Sequence, residues 1–222
     1  MTMPLQLHEL TPSPNSVKVR LGLGYKGLAY ERCPIALDSL PGNREVALKL
    51  SGQPRLPILV HGETVIFDSG AILRYVEANF RDTPRLVPED YAAFGEMEEW
   101  EAWTRTGLGT PIGAVFQQLA SGSPDPAALQ AGNAAFHEAT QRIEDRLGEV
   151  DYLAGTTHPT LADLTCVSRV YLSLATEQEA RASQILAGMR SALHLGEGRE
   201  RTRAWAEGLL EHDAYRKALL SS

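Results

Sequence analysis

Arg55-Leu56-Pro57-Ile58-Leu59-Val60, a His61-Gly62 turn, then Val65-Ile66-Phe67-Asp68-Ser69-Gly70-Ala71-Ile72-Leu73 is the stretch on which the fold turns. Two short apolar runs around a turn predict a strand hairpin, and Ile72, Leu73, Val76 and Phe80 predict a helix entered directly from its second strand. Pro57 has no N–H to give to a ladder, so it belongs at a strand start, where a cis bond is a deliberate feature. Asp68 and Ser69 stand where the helix begins. Unpaired N–H groups and the positive end of the helix dipole favour an anion there, and both side chains can hydrogen-bond. The junction suits a small zwitterion; equally, Asp and Ser are ordinary helix caps.

Upstream, Leu5-Gln6-Leu7-His8-Glu9-Leu10 alternates as a half-buried strand does. Thr11 to Ser16 is a turn cluster, followed by Val17, Leu21 and Leu28 at helical spacing, with Gly27 as a left-handed stop. Tyr30 to Ile35 predicts a second strand before a loop containing Pro41-Gly42-Asn43. The order βαβ…ββα is that of a mixed sheet covered by helices. Arg81 to Pro88 carries two prolines and no helical period, which marks a linker. Everything beyond it reads as helix. Phe94, Met97, Trp100 and Trp103 lie along one predicted helix, Pro111 interrupts before Ile112, and Asp125-Pro126 opens a long helix that Gly148 ends. Thr160 and Asp163 form a capping-box pattern.

The 222 residues are enough for one large or two small domains, and 43% hydrophobic content is ordinary for a soluble globular chain. With 28 acidic against 21 basic residues the net charge is −7, which disfavours nucleic-acid or anionic-membrane binding through a global basic field. Arg199, Arg201 and Arg203 are interrupted by Glu200 and read as a solvated helix entry. Cys33 and Cys166 show no CxxC or metal-ligand spacing, and the six histidines form no metal motif, so neither a disulfide scaffold nor a metal site is expected. No apolar run approaches the roughly 20 residues that span a bilayer. A reducing, cytoplasmic location is expected.

L-P-I-L-V, a turn and V-I-F-D-S-G-A-I-L-R-Y resemble the glutathione-binding half of the cytosolic glutathione transferase family. Tyr152-Leu153-Ala154-Gly155 with Pro159 to Leu164 resembles the start of that family's central helix, and His212 to Leu219 its terminal helix. The resemblance implies a thioredoxin-like domain with a mixed four-stranded sheet over residues 1–82, a linker at 83–90 and an all-α domain over 91–222. It further implies that Leu56, before a cis Pro57, offers its backbone to the cysteine of glutathione, that Asp68 and Ser69 hold the γ-glutamyl group, and that Arg55 reaches the glycine carboxylate. The family more often has Glu at the place of Asp68. The turn Ser13-Pro14-Asn15-Ser16 would contact the sulfur. It looks closest to the bacterial and fungal nu class and its relatives, which points to Ser13 and Asn15, with Ser16, the expected helix cap, and Thr11 as rivals. An ordinary Ser-, Asn- and Pro-rich turn has the same composition.

The implied activity is attack of bound glutathione thiolate on a small hydrophobic electrophile, with glutathione as co-substrate and no metal. The alternatives are a nu-type disulfide reductase or peroxidase and a non-catalytic binding or scaffold module, since fold does not fix function. No cysteine occupies the 11–16 turn, and Cys33 falls in a predicted strand, so omega- or beta-type thiol chemistry is not expected. The resemblance also implies a homodimer.

Overall fold

The computed structural model describes residues 3–35, 42–181 and 183–221. The chain divides into two compact units, one running to Leu86 together with His212–Ala214, the other comprising Val87–Glu211 together with the residues from Tyr215 onward. The expected linker is thus shared between the units. The return of His212–Ala214 to the first unit has no counterpart in the sequence reading.

The first unit contains β1 (Leu5–Glu9), α1 (Pro14–Tyr25), β2 (Tyr30–Pro34), α2 (Gly42–Ser51), β3 (Ile58–His61), β4 (Thr64–Phe67) and α3 (Ser69–Asn79). The sheet has the order β2-β1-β3-β4, with β1 and β2 parallel and β3 antiparallel to both β1 and β4. Alternation along β1 turns Leu5, Leu7 and Glu9 to the buried side. Leu5, Leu7 and Leu59 of the sheet pack on Val19 and Leu23 of α1 and on Ile72 and Val76 of α3. Burial on α1 is broader than the Val17–Leu21 stripe: every residue from Ser16 to Leu23 is buried, Lys18 and Arg20 included. The helix ends in a Schellman arrangement, in which Leu28 N–H donates to the Leu23 carbonyl (2.9 Å) and Gly27 N–H to that of Gly24 (3.0 Å), with Gly27 at φ 66°. Pro41 lies outside the described residues, and Gly42-Asn43, expected in a loop, begin α2 instead.

After β4 the described residues contain no strand. The helices are α4 (Tyr91–Thr106), α5 (Gly109–Ala120), α6 (Pro126–Arg146), α7 (Leu161–Leu174), α8 (Glu177–Arg181), α9 (Gln184–Ala192), α10 (Glu200–Leu210) and α11 (Ala214–Leu220). Pro111 does not separate two helices: the break falls at Gly107-Leu108, and Pro111 sits in the first turn of α5, where a missing N–H costs little. Asp125 caps α6 through Ala127 N–H (3.0 Å), and Pro126 is its first residue. At α7 the fully buried Asp163 accepts from Thr160 N–H (2.8 Å), the Thr160 hydroxyl (2.9 Å), Leu153 N–H (2.9 Å) and Trp205 Nε1 (3.1 Å), so one carboxylate ties the helix start to two other segments. The expected solvated Arg run is corrected at Arg199, which is buried and donates to the Thr140 hydroxyl (3.1 Å) and the His137 carbonyl (2.8 Å).

Candidate active site

Strand register brings the sequence-predicted site residues to one place. His8 pairs with Ile58, and Ile58 with Phe67. The turn that follows Glu9, the Leu56-Pro57 step that precedes Ile58 and the Asp68-Ser69 step that follows Phe67 therefore all leave the sheet at the same end. Two of these segments enter helices, so two helix N-termini stand at that end.

The first segment is a tightly closed turn. Ser13 N–H donates to the Leu10 carbonyl (2.9 Å), and Leu10 N–H donates to the Ser16 hydroxyl (3.2 Å). Ser16 is fully buried with its hydroxyl accepting that bond, and it lies inside α1, so the expectation that it caps the helix is corrected. The N-cap position belongs to Ser13, whose carbonyl accepts from Ser16 N–H (2.9 Å) and Val17 N–H (3.0 Å) and whose hydroxyl makes no cap bond. Ser13 and Asn15 are half-buried. The Thr11 hydroxyl accepts from Arg32 (3.3 Å).

The second segment holds the cis Leu56-Pro57 bond, with Pro57 buried and Leu56 half-buried. Gln53 fixes the loop before it: its amide donates to the Arg55 carbonyl and accepts from Arg55 N–H, both at 2.8 Å, and donates to Ser51 Oγ (2.8 Å). Arg55 itself is exposed.

At the third segment Asp68 is the N-cap of α3, Oδ1 accepting from Gly70 N–H (2.9 Å) and Ala71 N–H (3.1 Å). Its backbone is at φ 72°, ψ 126°, the one non-glycine positive φ among the described residues. Holding such a conformation costs on the order of 1–3 kcal/mol, and a cap returns about 0.5–2 kcal/mol. Local capping thus about offsets the strain and does not by itself account for Asp at this position. Ser69 is buried beside it. Cations gather here too: a Cβ on Gly70 would stand 3.3 Å from Arg74 Nη1 and 3.9 Å from Nζ of the buried Lys18. An exposed carboxylate, a helix N-terminus and two nearby cations, one from α3 and one from α1, match a group that carries both an ammonium and a carboxylate.

Beneath the first turn lies a buried ionic network outside the expected site. Arg20 Nη1 donates to Glu9 (2.5 Å) and to the Thr11 carbonyl (3.1 Å), and Arg20 Nε to Asp213 (2.8 Å). Arg32 Nε donates to the other Glu9 oxygen (2.6 Å). Burial alone would lower the pKa of Arg20, but the Asp213 and Glu9 carboxylates hold it above its ordinary value. A signal for this network existed: period-2 alternation puts Glu9 on the core face, and a carboxylate there demands a partner. Cys33, in β2, has its thiol pushed up by burial and by the charge of Glu31, the reverse of what a reactive thiolate needs. Among the described residues no group of three His, Cys, Asp or Glu side chains is placed to hold a metal ion.

Residues 7–84 match the family model described as the glutathione S-transferase N-terminal domain. Glutathione S-transferase 3 of Zea mays is 27% identical over 97% of this chain and 93% of its own length. Elongation factor 1-gamma 2 of Oryza sativa subsp. japonica is 24% identical over 78% of this chain but only 41% of that protein. Among solved structures, the theta class glutathione S-transferase of Xanthomonas axonopodis pv. citri, with glutathione bound, superposes with a TM-score of 0.77 at 19% identity, covering 99% of both chains. These matches place residues 7–84 in the glutathione S-transferase N-terminal domain family. The fold is that of the transferases, a thioredoxin-like domain with a mixed four-stranded sheet plus an all-α domain.

Proposed function

We propose that the protein is a glutathione transferase that binds glutathione at the shared sheet end and directs its thiolate at a small hydrophobic electrophile. The observation that carries this reading is the convergence of the half-buried Ser13/Asn15 turn, the cis Leu56-Pro57 step and the strained Asp68-Ser69 cap at one end of one sheet. In this reading Asp68 faces the γ-glutamyl ammonium, while Ser69 and the α3 N-terminus face its carboxylate. The Leu56 backbone pairs with the cysteinyl unit, and Arg55 meets the glycine carboxylate. Ser13, helped by Asn15, donates to the sulfur, with the positive end of α1 behind it favouring thiolate. The thiol proton goes to solvent, the sulfur lone pair forms the new C–S bond, and the leaving group departs with its electron pair. The protein's task is to ionise, orient and desolvate a nucleophile that is intrinsically good.

The Ser-Pro-Asn-Ser turn favours a nu-like or related serine-type class; for the nu type the alternative activity is disulfide or peroxide reduction. For a disulfide, the bound thiolate attacks one sulfur, the other leaves as thiolate, and a second glutathione thiolate releases glutathione disulfide. A cytoplasmic homodimer accompanies this reading. A second reading, a non-catalytic binding module, is favoured by the similarity to a protein named elongation factor 1-gamma 2. Titrating the ultraviolet absorbance of bound glutathione thiolate tests the first. Ser13→Ala and Asn15→Ala should each raise its midpoint pH and lower turnover by up to about 10²-fold, the lower end expected of a main oxyanion donor because the two share the load, with the double variant worse. Loss of the thiolate signal in Ser16→Ala alone would contradict the assignment. Glutathione binding with no turnover on electrophiles or disulfides would favour the module.

A further inference from the structure

The Arg20 network lies directly under the turn that would present Ser13. Arg20 holds the Thr11 carbonyl, Arg32 holds the Thr11 hydroxyl, and both bind Glu9, the last residue of β1. Glu9 and Arg20 are almost completely buried, as is the Asp213 carboxylate that clamps Arg20 from the other side. Asp213 is itself located by its neighbour, since the His212 carbonyl would meet a Gly24 Cβ at 1.8 Å and the His212 ring stands edge-on to Tyr25 at 5.1 Å. Tyr30 faces the same cluster, its hydroxyl pushed above the ordinary value by burial and then by Asp213. Burying one arginine and two carboxylates beside the partly exposed Arg32 is no economical route to stability, because apolar replacements of such networks are often neutral or better. What the network does supply is direction: it grips the carbonyl and the hydroxyl of Thr11 at a place two residues before Ser13.

We propose that Asp213, Arg20 and Arg32 are positioning residues for the glutathione thiolate, fixing the Leu10–Ser13 turn so that Ser13 and Asn15 meet the sulfur. This rests on the glutathione reading above and deepens it: a segment from the far end of the chain, 193 residues from Arg20, belongs to the sulfur site. The network moves no proton and touches no substrate.

The test separates positioning from general stability by using two ligands. S-methylglutathione reads the γ-glutamyl and glycyl ends without an ionisable sulfur, and glutathione reads the thiolate. In Asp213→Asn, shown folded by circular dichroism, the S-methylglutathione Kd should stay within about threefold, while the thiolate midpoint rises by about one pH unit and kcat falls about tenfold, the two being the same free energy. Asp213→Glu should recover most of both. Arg32→Lys, on a side chain 23% exposed and therefore tolerant, should raise the midpoint in the same direction by losing the Thr11 bond, and decides the matter if Asp213→Asn does not fold. An unchanged midpoint in the folded variants would overturn the proposal, as would an equal loss of affinity for both ligands. Failure of the wild type to bind S-methylglutathione would overturn the glutathione reading instead, and this proposal with it.

Discussion

Asp68 is where local chemistry and ligand chemistry separate most cleanly. Its Oδ1 is committed to the α3 cap, and its positive φ is tolerated because the Asp side chain bonds to backbone two and three residues on. Asn caps a helix as well as Asp and has nearly the same shape, but carries no charge. Asp68→Asn should therefore keep the urea midpoint close to wild type while glutathione affinity falls by about 1.5–3 kcal/mol, the range of a hydrogen bond to a charged group. Asp68→Ala should lose both affinity and about 0.5–2 kcal/mol of stability. Calorimetry on the two variants checks this; equal glutathione affinity in wild type and Asp68→Asn would reduce the residue to a cap. Asp68, Ser69 and Pro57 were legible in the sequence because each obeys a local rule about strand starts or helix starts. The role of Ser16 was not, because turn composition is the same whether a hydroxyl points to solvent or back to the Leu10 amide.

Elements were legible where their ends carry local signals and illegible where the partner comes from far away. Pro126, Gly27 and the Thr160/Asp163 pair set helix ends within four residues of themselves. The start of α10 shows the contrast. Arg199 stands at its N-cap position with no side-chain cap bond, and the capping is done by Glu144 of α6, which accepts from Arg201 N–H (3.2 Å) and from the Thr202 N–H and hydroxyl (2.8 Å each). No window of sequence pairs residues 144 and 202. Burial pushes the Glu144 carboxyl up, but the Thr202 and Arg201 bonds outweigh that and hold it below its ordinary value. A depressed folded pKa gives stability that is present above the unfolded value of about 4.3 and is lost as pH falls through the folded value. Glu144→Gln should accordingly cost about 1–3 kcal/mol at pH 7, from weakened hydrogen bonds at a buried cap, and progressively less below about pH 4. Urea denaturation at pH 7 and pH 3 measures it, and an equal cost at both would show that the charge contributes nothing. The burial of Arg20 was illegible for the same reason, since its carboxylate partners Glu9 and Asp213 lie outside α1.

At the scale of the whole molecule the alternation of strands and helices, followed by helices alone, was sufficient to give the two-part architecture, because hydrophobic period depends on each element by itself. The return of His212–Ala214 to the first unit was not legible: it depends on Gly24 leaving room for the His212 carbonyl and on Arg20 needing a second carboxylate. The proposed homodimer belongs to this scale, and an isologous interface predicts twice the 24.2 kDa chain mass by light scattering at micromolar concentration; a mass of one chain would contradict it. Whether three chain segments at one sheet end form a single glutathione site is decided by a crystal structure of the protein with glutathione bound. The γ-glutamyl group should lie against Asp68 and Ser69, the cysteinyl backbone should pair with Leu56, and the sulfur should stand within hydrogen-bond distance of Ser13 or Asn15. Glutathione bound with its sulfur turned away from that turn, or absent from this end of the sheet at saturating concentration, would contradict it.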